Sequence, residues 1–373
     1  MPAPRRDSVA FTVIVTVLVV LGALAVLLVL ALSGAPAITL VAAVAAAVPV
    51  VPLVACYLWL DRYEPEPRGL LLAGLAWGAF VATVAAVVLG GIGGLVIGYG
   101  QTASLAVVAP VTEEASKGLF LLLLLWWRRA ELDGLLDGLV YAGMVGIGFA
   151  FTENILYLAA AYNGTDGAGP GGVAGLTTLF VVRCVLSPFA HPLFTAFIGI
   201  GVGLAVSSRS RSVRLGAPLL GYVAAVLAHG LWNGSTVAGL GGFVGVYVVL
   251  MLPALAGIVA LAVWARRSER LLLAAALGDA AQRGLVPATD IGWVVDLPAR
   301  RAARRHARAT EGRPAERAMR DYQQAVIELG FLHHRLLRGT APDDWQARGQ
   351  AHVLRIRAVR PAVAFPGQVV PTR

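Results

Sequence analysis

Two histidines, three glutamates and a lone lysine stand in stretches of this sequence otherwise built from Leu, Val, Ala, Gly and Phe. Glu113, Glu114 and Lys117 share one stretch, Glu153 and Asn154 lie in the next, Arg183 and His191 in a third, and His229 and Asn233 in a fourth. Two His with one or two Glu are the ligand set of hydrolytic zinc centres, in which an open position holds an activated water. On that reading the candidate ligands for Zn2+ are His191, His229, Glu153 and Glu114. The short His-Glu-x-x-His signature is absent, so separate helices must supply them. The same residues also permit a metal-free glutamate mechanism. Glu113 or Glu114 would then act as general base, a histidine would orient water, and His229 with Asn233 would donate to an oxyanion. Spacing does not separate the two. No nucleophile elbow or other Ser-centred motif is present, which argues against acyl-enzyme chemistry.

Spacing along a helix groups these side chains further. Glu113 and Lys117 are four residues apart and Glu114 and Lys117 three, so the ammonium can neutralise either carboxylate. Adjacent glutamates point about 100° apart, so one faces the centre of a site while the other braces it. Arg183, Ser187, His191 and Thr195 form a polar stripe stepping by four. Pro188 and Pro192 interrupt that helix and free carbonyls that are tolerated in a bilayer only where protein or trapped water satisfies them. At 1.5 Å per residue, Glu113, Glu153 and His229 lie roughly 12 to 15 Å below the outer ends of their helices, and His191 roughly 20 Å. Glu113, Glu114, Glu153, His191 and His229 are therefore the catalytic candidates. Lys117, Asn154, Arg183 and Asn233 support them by tuning charge or holding the oxyanion.

The elements that position this layer are membrane helices. Hydrophobic residues make up 58% of the 373 residues and charged residues 14%, against about 25% charged in ordinary soluble domains. Eight segments are long and apolar enough to span a bilayer, over about 10–32, 37–60, 69–97, 103–127, 138–161, 176–206, 215–237 and 242–265. The first exceeds a cleavable signal and is expected to stay. Arg5 and Arg6, Arg62 and Arg68, Arg128 and Arg129, and Arg209, Arg211 and Arg214 all fall on one side of this alternating chain, whereas the opposite loops hold no Lys or Arg. The positive-inside rule then places both termini in the cytoplasm. The expected fold is an all-α polytopic membrane protein with a short cytoplasmic N-terminus (1–9), a helical membrane domain (10–265) and an Arg-rich cytoplasmic tail (266–373).

Residues 1–265 carry 11 basic and 11 acidic side chains, so the formal charge of +9 resides in the tail, with 19 Arg and 10 acidic residues. That division removes the nucleic-acid reading of the basic surplus. Within the tail, Met319, Tyr322, Val326 and Leu329 predict a helix over about 315–337 with one apolar face, suited to a cytoplasmic partner or to the anionic inner leaflet. Prolines 298, 314, 342, 361, 366 and 371 read as breakers, and His306, His333, His334 and His352 as solvated side chains without zinc-ligand spacing. Cys56 and Cys184 lie in apolar runs and read as small buried residues.

Five runs, taken together, resemble a known family. They are Asp61-Arg62-Tyr63-Glu64-Pro65-Glu66-Pro67; Glu113-Glu114-Ala115-Ser116-Lys117; Asp137-Gly138 leading to Gly148-Phe149-Ala150-Phe151-Thr152-Glu153-Asn154-Ile155-Leu156-Tyr157; His191-Pro192-Leu193-Phe194-Thr195; and His229-Gly230-Leu231-Trp232-Asn233. Over about residues 50–240, and in the family's order, they resemble the PrsW family of bacterial intramembrane proteases. More distantly, the Glu-Glu, Phe-x3-polar and His-x3-Asn elements are similar to type II CAAX prenyl endopeptidases and bacteriocin-processing relatives. The resemblance implies a multi-pass endopeptidase of the bacterial cytoplasmic membrane, usually described as a metalloprotease, with Glu113, Glu114, Glu153, His191 and His229 at the family's polar positions. It also implies a membrane-anchored protein substrate, such as an anti-sigma factor, cut near the extracytoplasmic side. The prenyl-endopeptidase relatives carry His where this chain has Glu153, and their corresponding Glu is argued to work without metal. Two other classes use the same residues differently: an ion or proton-coupled transporter with a carboxylate site, and a membrane scaffold with a structural polar core.

Overall fold

The computed structural model describes residues 9–32, 35–164 and 171–367. The N-terminal segment with Arg5 and Arg6, and part of the loop expected at 162–175, lie outside the described residues. Among the described residues all regular structure is helical, and the chain is an all-α polytopic membrane protein. Its first eight long helices are α1 (Val9–Leu32), α2 (Pro36–Leu60), α3 (Arg68–Ile97), α4 (101–127), α5 (Leu135–Asn163), α6 (Gly172–Ser207), α7 (Arg211–Val237) and α8 (Gly239–Gln282). Seven are long and apolar enough to cross a membrane. The exception is α4, set apart by Glu113, Glu114 and Lys117.

Burial separates inner from outer helices. In the most apolar window of α5, 83% of residues are buried, and in that of α6, 78%, against 11–22% for α1, α2, α3, α7 and α8. A helix that is apolar all round belongs in an interior, and α5 takes that place with α2, α3, α4 and α6 packed against it. Small residues make the approach close. A Cβ on Gly148 of α5 would overlap the carbonyl oxygen of Leu75 in α3, and a Cβ on Gly78 of α3 would overlap that of Val145. Gly138 of α5 and Gly199 of α6 stand in the same relation.

The prolines of α6 have a local consequence. A π-helical turn over Val181–Leu186 ends at Ser187, which leaves helical geometry (φ −126°, ψ 38°), and regular helix resumes at Ala190. The freed carbonyls are satisfied within the protein. Val182 accepts from the Ser187 amide (3.0 Å) and hydroxyl (2.7 Å), and Leu186 accepts from the Tyr247 hydroxyl (2.7 Å). Ser187, part of the polar stripe, thus seals the break that brings His191 to the start of a fresh helix.

Arg62–Pro65 and the chain from Val263 onward belong to a second compact unit. It contains the end of α8, α9 (Leu297–Arg338, broken at Gly312) and α10 (Trp345–Val359). Helix here extends well beyond 315–337, because several prolines that read as breakers start helices instead. Pro298 sits in the first turn of α9, Pro314 just after its break, and Pro361 in the first turn of a 3-10 helix, where a missing N–H costs nothing. Met319, Tyr322, Val326 and Leu329 are buried in this unit's own core with Leu273, Leu277, Val294 and Phe365. Buried Asp290 accepts from Tyr322 (2.5 Å) and from Arg360 (2.6 and 3.1 Å). Solvated histidine is the wrong description for His333, which is buried with Nε2 2.5 Å from Asp279, and His352 lies 3.3 Å from Glu328. A folded unit gives these side chains acidic neighbours that an extended tail lacks.

The α3–α5 contact is testable. Gly148→Ala is expected to cost about 1–3 kcal/mol through overpacking and to lower the thermal midpoint in detergent. Gly216→Ala in α7, whose added Cβ meets nothing within 4 Å, should leave it unchanged; equal midpoints for the two variants would refute the close packing.

Candidate active site

The polar residues of four helices meet around the Lys117 ammonium. Lys117 Nζ donates to Glu114 Oε1 (2.8 Å), Glu113 Oε2 (3.3 Å) and His191 Nδ1 (3.1 Å), and lies 3.8 Å from the centre of the Phe149 ring. Lys117 and Glu114 are fully shielded from solvent, while Glu113 and His191 are each 7% exposed. The three- and four-residue spacing on α4 supplies two of these contacts. The third requires α6 to present His191 in the first turn after its break.

Glu113 and Glu114 differ in what they have left to do. Glu114 accepts three hydrogen bonds: Oε1 accepts from Lys117 and from His229 Nδ1 (3.0 Å), and Oε2 accepts from the Thr195 hydroxyl (3.1 Å). Glu113 has only Lys117 as a hydrogen-bond donor among the described residues, with His229 Nε2 at 3.8 Å from its Oε2. Thr195 was legible in the sequence as the next step of the polar stripe, although its partner was not.

The donors around them set the histidine tautomers. An ammonium can only donate, so His191 Nδ1 is an acceptor and the ring proton sits on Nε2, where it is donated to Glu153 Oε2 (2.7 Å). Glu153 is held in turn by Arg183, whose Nε donates to Asn154 Oδ1 (2.7 Å) and whose guanidinium lies 4.2 Å from the centre of the Tyr157 ring. On His229, the proton donated to Glu114 is on Nδ1, so in the neutral imidazole Nε2, 3.8 Å from Glu113 Oε2, carries none. Phe194 stacks on His229 at 4.6 Å with a 13° interplanar angle, and the two imidazoles meet edge to face at 5.3 Å. These aromatic walls were not singled out as site residues; Phe194 is three residues after His191, the one spacing that pointed to it.

One expected site residue is engaged elsewhere, and another stands beside the candidate ligand cluster. Asn233, one turn beyond His229, donates its amide to the carbonyl of Leu105 (3.1 Å) in the π-helical turn Ser104–Val108 of α4. Glu153 belongs to the network but not to the candidate ligand cluster, where Glu113 takes its place. Glu113, Glu114, His191 and His229 each offer a donor atom within 4.8 Å of the others, so this buried cluster could bind a metal ion. The donors suit zinc by type, two imidazoles with carboxylates. The pairing of His191 with Glu153 is the outer-shell support that metal-binding histidines use. The fit is therefore sound in donor chemistry, with the Lys117 ammonium drawing on three of the same four side chains.

Other motif residues brace the helices that carry the site. The Asp61 carboxylate accepts from the Glu66 amide (3.0 and 3.2 Å) and closes the turn into α3, while Glu66 accepts from the Tyr141 hydroxyl of α5 (2.6 Å). Asp137 accepts from the amides of Asp133 and Gly134 (both 2.8 Å) at the start of α5, satisfying donors that a helix N-terminus leaves open.

Comparison with known proteins agrees with this arrangement. The model of the PrsW family of intramembrane metalloproteases matches residues 66–258, just over half of the chain and inclusive of every site residue above. The chain is 28% identical over 155 residues to Protease PrsW of Geobacillus kaustophilus, covering 42% of this chain and 62% of the relative. It is 29% identical over 114 residues to Protease PrsW of Oceanobacillus iheyensis, covering 31% and 46%. The match thus spans less than two thirds of either relative. No solved structure matches the chain. With the last four motifs gathered on four neighbouring helices and a family match that covers all four, the chain belongs to the PrsW family of intramembrane metalloproteases.

Proposed function

We propose that this protein is an intramembrane endopeptidase of the bacterial cytoplasmic membrane. Its substrate is a membrane-anchored protein, an anti-sigma factor being the class the family suggests, cut in or near its transmembrane segment. The observation that carries this reading is the pair formed by Glu113 Oε2 and His229 Nε2. These are two proton-accepting atoms 3.8 Å apart in a buried site, beside a fixed ammonium.

Peptide hydrolysis needs a group that takes a proton from water and a route for a proton to the leaving amine. Glu113 is the base because its carboxylate accepts one hydrogen bond from the described side chains, whereas Glu114 accepts three. As Glu113 accepts the proton, the water oxygen bonds to the scissile carbonyl carbon. When the C–N bond breaks, the same carboxyl returns that proton to the amine. Glu114 is a positioning residue that holds His229 through Nδ1. Glu153, held by Arg183 and Asn154, does the same for His191 through Nε2. Lys117 balances the carboxylates and fixes the His191 tautomer. A zinc ion, when bound, would be held by His191 and His229 with Glu113 or Glu114, and would supply Lewis acidity and a more acidic water. The site is thus read as catalytic rather than as an ion pathway, because one carboxylate is left underused beside a bare imidazole nitrogen.

In proteoliposomes containing a single-pass substrate, Glu113→Gln and His229→Ala are expected to lower the cleavage rate by about 10²-fold or more while the protein stays folded. Unchanged cleavage in either variant would overturn the assignment. Ion flux dependent on Glu113, without proteolysis, would replace the protease reading with transport. Arg183→Gln should have a smaller effect, about 10-fold, since it loosens Glu153 and His191 indirectly.

Lys117→Met should cost about 3–5 kcal/mol of stability by stranding buried carboxylates, read as a lowered thermal midpoint. A midpoint equal to that of the unsubstituted protein would show that the ammonium is not their counter-charge. Chelator treatment followed by metal analysis separates the two chemistries: cleavage lost with the metal and restored by zinc supports the metal-assisted form, and cleavage retained by metal-free protein supports glutamate acting alone.

A further inference from the structure

Between residues 300 and 320 the chain carries eight arginines and only two acidic residues, Glu311 and Glu316. Two of the eight are built into the fold of the second unit. Arg300 is buried and donates to the carbonyls of Val294, Arg62 and Tyr63, and Arg304 donates to Gln323 (2.7 Å). The other six, Arg301, Arg305, Arg308, Arg313, Arg317 and Arg320, are exposed. Ala303 and Ala307, on the opposite side of the same helical arm, are buried in the unit's core, so the arginine face is fixed in its outward orientation.

Gly312 is the reason four of these arginines converge. Its φ of +80° with ψ of −164° is a conformation that glycine alone adopts readily, and it breaks α9 between Arg308 and Arg313. The break lets Arg308 from the first arm line one pocket of about 340 Å³ with Arg313, Arg317 and Arg320 from the second. Glu316 is the single acidic residue in the lining. It accepts from Arg308 (3.5 Å) and from Arg320 (3.0 Å) and so ties the two arms together across the break. Arg313 and Arg317 have no ion-pair partner among the described residues. Burial, and after it the neighbouring Arg320 charge, pull Arg304 below the ordinary guanidinium range against the opposing charge of Glu316.

The geometry points to this pocket as a binding site for a phosphate-bearing anion, the headgroup of an anionic phospholipid. Planar guanidinium forks match phosphate oxygens two at a time, which makes grouped arginines a phosphate site by chemistry. Four guanidinium groups against one carboxylate leave about three positive charges to be met, and the pocket has room for a glycerol-phosphate headgroup. The unit is joined through α8 to the membrane helices, so the phosphate at highest effective concentration is that of the lipid.

The test uses the purified full-length protein in detergent with phosphatidylcholine, titrated with phosphatidylglycerol and read by native mass spectrometry of bound lipid. The Arg313→Gln/Arg317→Gln variant is expected to bind phosphatidylglycerol about 30-fold more weakly, at about 1 kcal/mol per arginine. The Arg301→Gln/Arg305→Gln variant removes the same charge outside the pocket and is expected to change affinity less than twofold. All four side chains are exposed, so unchanged thermal midpoints are expected to confirm intact folding. Equal losses in the two variants, or no loss in either, would overturn the pocket as the site. Displacement of phosphatidylglycerol from the unsubstituted protein by millimolar inorganic phosphate would overturn the lipid as its ligand.

Discussion

An ammonium group inside a membrane helix has no water to solvate it, so its counter-charges and acceptors must come from the protein. Lys117 obtains them from Glu113 and Glu114 one turn behind it on α4 and from His191 on α6. Each of those partners then needs its own. Glu114 takes hydrogen bonds from His229 and Thr195, and His191 donates its ring N–H to Glu153, which Arg183 holds. The chain of obligations ends only when every buried charge but one acceptor-rich carboxylate is satisfied. Removing a partner from such a network strands a charge at a cost of several kcal/mol, so α4, α5, α6 and α7 are bound to one mutual arrangement.

That arrangement also demands that helices approach closely and that one of them be discontinuous. Gly78 against Gly148 and Gly138 against Gly199 remove the side chains that would hold α3 and α6 away from α5. The break at Ser187–Phe189 gives His191 a position in the first turn of a new helical segment, and the carbonyls it frees are taken up by Ser187 and Tyr247. The polar stripe on α6 therefore divides its labour: Arg183 supports Glu153, Ser187 seals the backbone, His191 joins the centre and Thr195 donates to Glu114. Four residues at one spacing serve four different purposes.

The second unit follows different physics. Its arginines divide between those given specific acceptors, as buried Arg300 is by backbone carbonyls and half-buried Arg360 by Asp290, and exposed ones such as Arg301, Arg305, Arg313 and Arg317. Its core is assembled from apolar residues scattered over α8, α9, α10 and the segments between them, which no single helical period reveals. Proline was misleading for the same reason. Its meaning depends on whether it sits in the first turn of a helix or within one, and that depends on where the preceding segment ends.

Local chemistry in the sequence determined the helical, membrane-spanning class, the short set of polar residues kept in apolar surroundings, and the pairing of Lys117 with both neighbouring glutamates. Helix periodicity and the cost of charge in lipid act over a few residues, so they are visible without a fold. Tertiary structure alone decided that Glu114 accepts three hydrogen bonds and Glu113 one, that Glu153 stands behind His191 rather than among the candidate ligands, and that Asn233 serves the backbone of α4. Those distinctions rest on lateral distances between helices far apart in sequence. Depth along a helix axis, which the sequence does encode, carries no information about which neighbour a side chain meets.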